Sequence, residues 1–501
     1  MNVAKFLEHW KIREHPFRAE EARHDPVFAR LDARHTAHPD FEKILGDPAH
    51  PSSAIVFGEK GSGKTATRLR IEQEIDAFNT ERPFERVLLV AYDDLNPMLD
   101  TLTERIGRGK TPGDLLAAFE KIRLADHMDA VLHAAVRAVT DIVLAATPEQ
   151  VRELRQNDGA TRESLMVLQS LYDREPGFED RHARFRKRLQ IKGDSKHFWW
   201  RVFSVIGLVL PAAPLLGATL LPETEFSPSL WQVFFYAGLA LYALILFVHL
   251  FLQPLMRKLE ASKLAKELRA VPRSEASYAI ALRSLSERER DPSNMPRSED
   301  LDARYVAFER LVEGLRPLGY NGMIVIMDRI DEPTLINGDA KLMRSLVWPI
   351  LNNKFLQMER VGIKLLLPIE LRYELFRESS SFFQEARLDK QSLIERLSWT
   401  GAMLYDLCNA RIAACTEEGA QATTLSDLFE EDVSRQELVD ALDQMQQPRD
   451  AFKLLYQAIQ EHCQNVTDDQ SAFRIPRLTL EGVRKQQVDR LTGLTRGVRP
   501  A

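Results

Sequence analysis

The chain has 501 residues, of which 45% are hydrophobic and 28% are charged, and its formal net charge is −6. This length predicts two or three structural units, and the acidic balance excludes a generally basic, nucleic-acid-binding surface. The three cysteines, Cys408, Cys415 and Cys463, have neither metal-type nor disulfide-type spacing, so we expect structural thiols.

Residues 1–50 are predicted to form an N-terminal helical segment. Residues 1–22 are polar and charged, and they lack the apolar central run of a cleavable signal peptide. The segment precedes the first predicted strand, and we expect it to belong to the folded body.

The sharpest motif of the chain follows at residues 58–65, which read Gly-Glu-Lys-Gly-Ser-Gly-Lys-Thr. The apolar run Ala54–Phe57 before it predicts a strand, and Ala66–Phe78 after it predicts a helix. This is the G-x-x-x-x-G-K-[ST] pattern of a phosphate-binding P-loop in its expected strand–loop–helix context. An ordinary glycine-rich turn before a helix is the alternative.

The residue types of this loop suit a nucleoside triphosphate. Glycines allow a tight turn whose N–H groups surround phosphate oxygens. Lys64 would place its charge on the β- and γ-phosphates, and the hydroxyl of Thr65 would bind Mg²⁺. Residues 1–50 either pack beside the base or brace the core, and the second is favoured because nothing local indicates base recognition. The expected nucleotide contacts are Gly58, Glu59, Lys60, Gly61, Ser62, Gly63, Lys64, Thr65 and Ala66.

A second strand is predicted from Arg86 to Tyr92, and it completes the first part of the nucleotide-binding core at 51–112. Asp93 and Asp94 follow this strand, and we expect them to cap it rather than to act in the site. Residues 113–197 place apolar side chains at helical spacing, which predicts a helical insertion.

Two long apolar stretches follow, at Phe198–Leu221 and Leu230–Leu252. The first carries one charge, Arg201, near its beginning, and the second contains no Asp, Glu, Lys or Arg. At about 1.5 Å per residue, each stretch is long enough to cross a bilayer core of roughly 30 Å. Residues 198–254 are therefore predicted to form a two-helix transmembrane hairpin, and a buried apolar hairpin of a soluble protein is the alternative.

Charges on either side of the hairpin predict its orientation. Basic residues are frequent in 181–196 and in 257–269, whereas the connector at 222–229 has no Lys or Arg. The positive-inside rule places both flanks and both termini in the cytoplasm, as in a two-pass protein of the cell (inner) membrane. The run at 181–196 would also suit nucleic acid, but its place beside a span favours topology and anionic lipid. A helical stalk at 255–318 returns the chain to the core.

The second part of the core is predicted at 319–391. Gly322–Met327 is an unbroken apolar run, which predicts a strand buried on both faces. Asp328 follows at once and is a candidate Walker B acid for Mg²⁺, with a solvated strand-end acid as the alternative. Asp331 and Glu332 lie just beyond it, where a carboxylate would orient an attacking water.

A further strand is predicted at Val361–Leu367. Glu370 and Arg372 follow this strand. Either side chain would sense the γ-phosphate if it lay in the site, and both would be surface charges at a helix start if it did not.

Residues 392–501 are predicted to form a helical lid and a C-terminal tail. Arg449 opens a lid helix after Pro448, and it either swings onto the γ-phosphate or is a solvated charge at a helix start. Arg387 and Arg396 are candidates for an arginine finger on a neighbouring protomer's nucleotide.

The order of these features resembles the KAP family of P-loop NTPases, which belongs to the broader AAA+/STAND-like ATPases. The resemblance rests on the loop at 58–65, a membrane hairpin inserted before Walker B, the paired acids Asp328 and Asp331, and a helical lid. Arg329 departs from it, since that family often has Asp there, and the lid motif at 448–450 looks more like other bacterial STAND-like ATPases. The resemblance implies ATP and Mg²⁺ as ligands. It also implies a membrane-tethered ATPase that acts on protein complexes, sometimes in bacterial defence.

The expected fold is therefore α/β: a P-loop NTPase with a parallel sheet, a large helical insertion carrying two transmembrane helices, and a C-terminal helical lid. The expected function is ATP binding and hydrolysis, as a switch or motor on an unidentified protein partner, in a monomer or a homo-oligomer. The alternative is a nucleotide-binding signalling module with little or no hydrolysis, because Arg329 stands where an AAA+ enzyme usually has a catalytic Glu. A transporter or channel is weaker, because the second apolar stretch has no Asp, Glu, Lys or Arg.

Overall fold

The computed structural model describes most of the chain. The described residues are 1–31, 36–106, 112–156, 158–173, 177–191, 228–286, 289–290, 295–296, 301–420, 423–467 and 472–495, with scattered positions between 202 and 214. The first predicted span, 198–221, and the connector at 222–229 therefore lie largely outside the described residues.

A five-stranded parallel sheet forms the centre of the fold. Its strands are β1 (Ala54–Gly58), β2 (Arg86–Tyr92), β3 (Tyr320–Met327), β4 (Val361–Pro368) and β5 (Ser392–Ile394). They pair in the order β2-β3-β4-β1-β5, and every pair is parallel. All carboxyl ends thus meet at one edge of the sheet. From β1 the chain goes to β2 at one edge of the sheet, and the last strand, β5, lies on the opposite side of β1. The end of β1 is therefore a topological switch point, which is a place suited to ligand binding.

Both faces of the sheet are buried, as the apolar runs predict. In β1, Ile55 and Phe57 belong to the core shared with the insertion helices, whereas Ala54 and Val56 belong to a smaller core on the opposite face. Successive side chains of a strand point to opposite faces of the sheet, as these two pairs of residues do. Because both faces of this sheet are covered, the strand has apolar residues at every position.

β5 is the strand that the sequence did not predict. The expected lid begins at residue 392, but Ser392–Ile394 pairs in parallel with β1, in a register that places Val56 opposite Ile394. The ladder continues where the Leu397 N–H donates to the Phe57 carbonyl at 2.7 Å. A run this short carries too few residues for a periodic pattern, so only its pairing with β1 identifies it.

Helices cover the sheet and build the two flanking regions. They are α1 (Val3–His9), α2 (Pro26–Arg30), α3 (Phe41–Leu45), α4 (Lys64–Glu81), α5 (Asn96–Ile106), α6 (Pro112–Phe119), α7 (Leu124–Ala145), α8 (Pro148–Gln156), α9 (Gly159–Tyr172), α10 (Phe178–Leu189), α11 (Pro228–Phe247), α12 (Gln253–Glu267), α13 (Glu275–Ser284), α14 (Leu301–Leu315), α15 (Ala340–Val347), α16 (Asn353–Leu356), α17 (Ile369–Leu375), α18 (Ser380–Ala386), α19 (Gly401–Cys415), α20 (Arg435–Asp443), α21 (Pro448–Asn465) and α22 (Arg477–Thr495).

The insertion and the lid have separate cores. Helices α7, α9 and α14 pack on one another and on β2 and β3, and they extend the main core. The N-terminal segment packs on the lid: Phe6, Ile12 and Phe17 share a core with α19 and α21. Arg411 on α19 forms a buried ion pair of 2.6 Å with Asp25. Residues 1–31 thus brace the lid.

One long apolar helix leaves this body. Gln232–Glu267 is continuous, its most apolar window has a mean hydropathy of 2.2, and none of that window is buried. A π-helical turn at Val248–Leu252 joins α11 to α12, next to Pro254, which lacks an N–H for the α-helical ladder. By length and composition, this helix is one candidate membrane span in the described residues.

Helices α7 and α8 are long and apolar enough to cross a membrane only if they are counted together as one span. α7 and α8 are bent by 117° relative to each other, and α7 is largely buried in the main core. The predicted two-span hairpin and its orientation therefore stay predictions, and the described residues contain one candidate for the second span.

Candidate functional site

The loop at 58–65 adopts a conformation that requires glycine. β1 ends at Gly58 and α4 begins at Lys64. Gly61 and Gly63 have φ values of +103° and +97°. L-residues rarely adopt these values, so a side chain at either position would strain the turn. At Gly61 a Cβ would also lie 2.8 Å from Oε1 of Gln447 in the lid.

Lys64 is folded back onto the loop that precedes it. Its Nζ donates to the carbonyl oxygens of Gly58 at 2.7 Å and Glu59 at 3.0 Å. Burial lowers the pKa of Lys64, and the nearby carboxylates of Asp331 and Asp328 oppose that shift. The ammonium group is thus hydrogen-bonded to neutral carbonyl groups of the loop. An anion that entered the cavity could replace them and form a stronger, charge-assisted hydrogen bond with Lys64.

Thr65 and Asp328 meet although 263 positions separate them in the chain. The Thr65 hydroxyl donates to Oδ2 of Asp328 at 3.3 Å. Asp328 is 1% exposed at the end of β3. Burial raises the pKa of Asp328, and the Arg329 backbone N–H, Arg68, Lys64 and Thr65 oppose the shift. A hydroxyl and a carboxylate at one point are hard oxygen donors, which is the ligand chemistry that Mg²⁺ prefers.

A cavity of about 490 Å³ opens at this edge of the sheet. Its lining combines charged side chains with the rings of Phe28, Phe41, Trp399 and Phe452. Its size and its mixed lining suit a ligand with a charged part and a flat apolar part. The predicted site residues among its lining are Glu59, Lys60, Gly61, Gly63, Lys64, Thr65, Ala66, Asp328, Asp331, Glu332 and Arg449.

Gly58 and Ser62 complete the predicted loop without belonging to that lining. Gly58 supplies the carbonyl that binds Lys64, and the Ser62 carbonyl accepts from the Trp399 indole N–H at 2.8 Å. Trp399 in turn makes an edge contact with the His38 ring. The segment after β5 and the N-terminal segment therefore both fix the loop and enclose the cavity.

The two candidate water-orienting acids have different surroundings. Glu332 is 56% exposed, and its Oε2 lies 3.2 Å from Nη1 of Arg329. Asp331 is half-buried and is the first of the carboxylates that oppose the lowered pKa of Lys64. Asp331 thus lines the cavity close to Lys64, whereas the Glu332 carboxylate is paired with Arg329.

The lid reaches the loop through the start of α21. Arg449 lines the cavity beside Gly61, and its Nε donates to the Glu20 carbonyl at 3.4 Å. Glu59 in the loop accepts from Arg396 at 2.6 Å and from the Gln447 amide. The loop and the start of α21 are thus in direct contact and line the same cavity.

The other candidate sensors and fingers are placed elsewhere. Arg372 pairs with Glu395 at 2.7 Å, and neither Glu370 nor Arg372 is among the described cavity-lining residues. The charge of Glu370 nevertheless acts on Lys64, because it is one of the carboxylates that oppose the lowered pKa of that lysine. Arg396 contacts Glu59 of its own chain. Arg387 ends α18 with a φ of +49°.

Several lining residues escaped the sequence analysis because their partners are distant in the chain. They include Arg23, His24, His38, Trp399, Arg411 and Phe452. Asp93 is a further case: it was expected to cap β2, yet it contacts arginines beside the cavity. One signal was available, since a residue that follows a parallel strand lies at the same edge as the loop after β1.

Comparison of the chain with protein-family models, with curated proteins and with solved structures gave no match. The resemblance to KAP-like P-loop NTPases thus stays a prediction from the motifs.

Proposed function

We propose that the chain is a membrane-anchored P-loop protein that binds Mg-ATP and hydrolyses it, acting as a switch or motor on a protein complex. The observation that carries the proposal is the 3.3 Å contact between Thr65 and Asp328 beside Lys64. It places a hydroxyl, a carboxylate and an ammonium group at the mouth of one cavity, where a triphosphate and its metal need them.

The residues divide the chemistry of phosphoryl transfer between them. Lys64 would leave its two carbonyl partners and contact the β- and γ-phosphates. Thr65 and Asp328 would hold Mg²⁺, which offsets the charge of the phosphate oxygens when it is bound. Asp331 would accept a hydrogen bond from the attacking water, and Arg449 would bring a second positive charge from the lid. The aromatic rings of the lining would suit the base.

ATP is proposed rather than GTP. The chain contains no N-K-x-D motif of the kind that reads guanine, and the motif resemblance points to ATP-using proteins. The anchor is the long helix Gln232–Glu267, whose apolar surface is exposed to solvent in the described structure. Exposed apolar surface of this extent is typical of a membrane-facing segment.

A second candidate is a nucleotide-dependent switch that barely turns over. Arg329 directly follows Asp328 and forms an ion pair with Glu332. Asp331 is then the one carboxylate of the two candidates that would be available to orient water. In such a protein ATP would act by binding one conformation of the lid better than another.

Phosphate release by the detergent-solubilised full chain separates these candidates. We expect steady release by the wild type, a loss of about 100-fold in Asp331→Asn and a change below about threefold in the matched Glu332→Gln variant. ATP binding should be kept in both variants. Tight ATP binding with negligible release by the wild type would establish the second candidate instead, and equal release by Asp331→Asn and wild type would remove Asp331 from the chemistry.

A further inference from the structure

Three arginines converge on Asp93 beside the cavity. Nη1 of Arg68 contacts its Oδ2, and Nη2 of Arg23 and Nη2 of Arg329 lie 3.5 Å and 3.9 Å from the same oxygen. Arg68 belongs to α4, one turn after the P-loop, Arg23 belongs to the N-terminal segment, and Arg329 directly follows Asp328. A single carboxylate thus joins the P-loop helix, the N-terminal segment and the loop after β3.

Burial makes these contacts stronger than surface ion pairs. The side chains of Arg68 and Asp93 are 9% and 18% exposed. Burial raises the pKa of Asp93, but the hydrogen bond and charge of Arg68 and the charge of Arg329 outweigh it, so the pKa lies below its ordinary value. The Nε of Arg68 donates to Oε1 of Glu72 at 2.8 Å. Loss of the Asp93 charge would leave three guanidinium groups close together with a smaller counter-charge.

Arg329 is the arginine whose placement affects the chemistry. Its φ is +60°, a left-handed conformation that side-chain-bearing residues adopt at a cost and that surrounding contacts must hold. Its guanidinium is held on one side by Asp93 and on the other by Glu332. Because the turn is fixed in this way, it presents Asp331 rather than Glu332 beside Lys64.

A second contact ties the same two segments together. The Thr334 N–H donates to Oδ1 of Asn96 at 3.1 Å. The segment after β2 therefore holds the loop after β3 at two points, Asp93 with Arg329 and Asn96 with Thr334.

We propose that Asp93 is a positioning residue: through Arg329 it fixes the loop after β3 so that Asp331 is aligned for water activation, and through Arg68 and Arg23 it holds that loop against the P-loop helix. The inference rests on the proposed function for its catalytic consequence. Its structural consequence, a loop held in part by the Asp93 carboxylate, does not depend on nucleotide.

Amide hydrogen exchange of the full-length chain in detergent, without nucleotide, tests the structural consequence. Asp93→Asn keeps the size of the side chain and removes its charge. We expect exchange across residues 328–338 to become about tenfold faster, while exchange in the middle of α4 stays unchanged. The matched control is Asp100→Asn on α5, an exposed acid with the same change of charge, which should leave 328–338 at the wild-type rate.

Arg329→Gln tests the contact from its other partner. It should speed exchange in the same residues, and the effect of the double variant should be smaller than the sum of the two single effects, because both changes remove the Asp93–Arg329 contact. If Asp93→Asn does not fold, exchange in Arg329→Gln alone tests whether the Asp93–Arg329 contact holds the loop.

The catalytic readout is a split between binding and turnover. Asp93→Asn should bind ATP with wild-type stoichiometry and with a Kd within about threefold of wild type, and its kcat should fall about tenfold, which a merely misfolded fraction would not produce. A protein that binds and hydrolyses no ATP would refute the proposed function, and the exchange experiment would still decide the role of Asp93. Unchanged exchange in 328–338, or additive effects in the double variant, would overturn the inference.

Discussion

Lys64 and Lys364 are two lysines withdrawn from water with different surroundings. Lys64 lies among acids at the mouth of the cavity. Lys364, in the middle of β4, is 0% exposed, and its Nζ donates to the carbonyl oxygens of Leu45 at 2.8 Å and Ser52 at 2.7 Å. These two bonds fasten the chain before β1 to the sheet. Burial lowers the pKa of Lys364 to about 7.

Lys364 should therefore make stability depend on pH. In the unfolded chain its pKa is about 10.4, so between pH 7 and pH 10 the unfolded state binds a proton that the folded state does not. The free energy of unfolding then rises with pH, by at most about 1.4 kcal/mol per unit, and the gain is lost as pH falls towards 7. Thermal unfolding at pH 7, 8 and 9 should show this slope in wild type and in the exposed control Lys341→Met, and a flatter slope in Lys364→Met. Parallel slopes in all three proteins would contradict it.

At the scale of elements, the insertion is held together by a buried ion pair. Arg304 on α14 donates to both oxygens of Asp129 on α7, at 2.9 Å and 2.8 Å, and the Tyr172 hydroxyl of α9 donates to the same carboxylate at 2.9 Å. Burial raises the pKa of Asp129 to about 6, although Arg304 and Tyr172 oppose the shift. Three helices thus share one carboxylate.

Removal of one partner should destabilise this helical unit strongly. Arg304→Met leaves a buried, unpaired acid, and we expect the free energy of unfolding to fall by about 3–5 kcal/mol in chemical denaturation. Arg316→Met, which removes a half-exposed arginine, should change it by less than about 1 kcal/mol. The double variant Asp129→Leu/Arg304→Met should recover much of the loss, because no buried charge remains. A small effect of Arg304→Met alone would show that the pair is solvated.

The sequence predicts those elements whose signal is local. Four strands follow from apolar runs, and α4 follows from the motif before it. The three residues of β5 have no such signal, because only their pairing with β1 makes them a strand. The Arg304–Asp129 pair spans 175 positions and the Thr65–Asp328 contact spans 263. The second contact was nevertheless predictable, because two known motifs imply it, whereas nothing in the sequence links Arg304 to Asp129.

At the scale of the whole molecule, an α/β body carries an apolar helix whose most apolar window is not buried in the described structure. The candidate site combines residues that precede this helix with residues that follow it, so both groups must lie on the same side of a membrane. The proposed two crossings would meet this requirement, because an even number of spans returns the chain to the side where it began.

Cysteine labelling in intact cells tests this topology. The three native cysteines are buried, so they give a low background. With a membrane-impermeant maleimide, we expect Ser227→Cys in the connector to be labelled in intact cells, and Ser274→Cys, an exposed position before α13, only after permeabilisation. Equal labelling of both positions before permeabilisation would contradict the two-pass arrangement.

The most direct test of the nucleotide site is calorimetric titration of the solubilised full chain with ATP, with and without Mg²⁺. Wild type should bind ATP more tightly when Mg²⁺ is present. Lys64→Ala should lose about 100-fold in affinity, and Asp328→Asn should keep metal-free binding but lose the gain from Mg²⁺. If all three proteins bind ATP with the same affinity and the same dependence on Mg²⁺, then the loop after β1 and the acid after β3 do not form one Mg-nucleotide site.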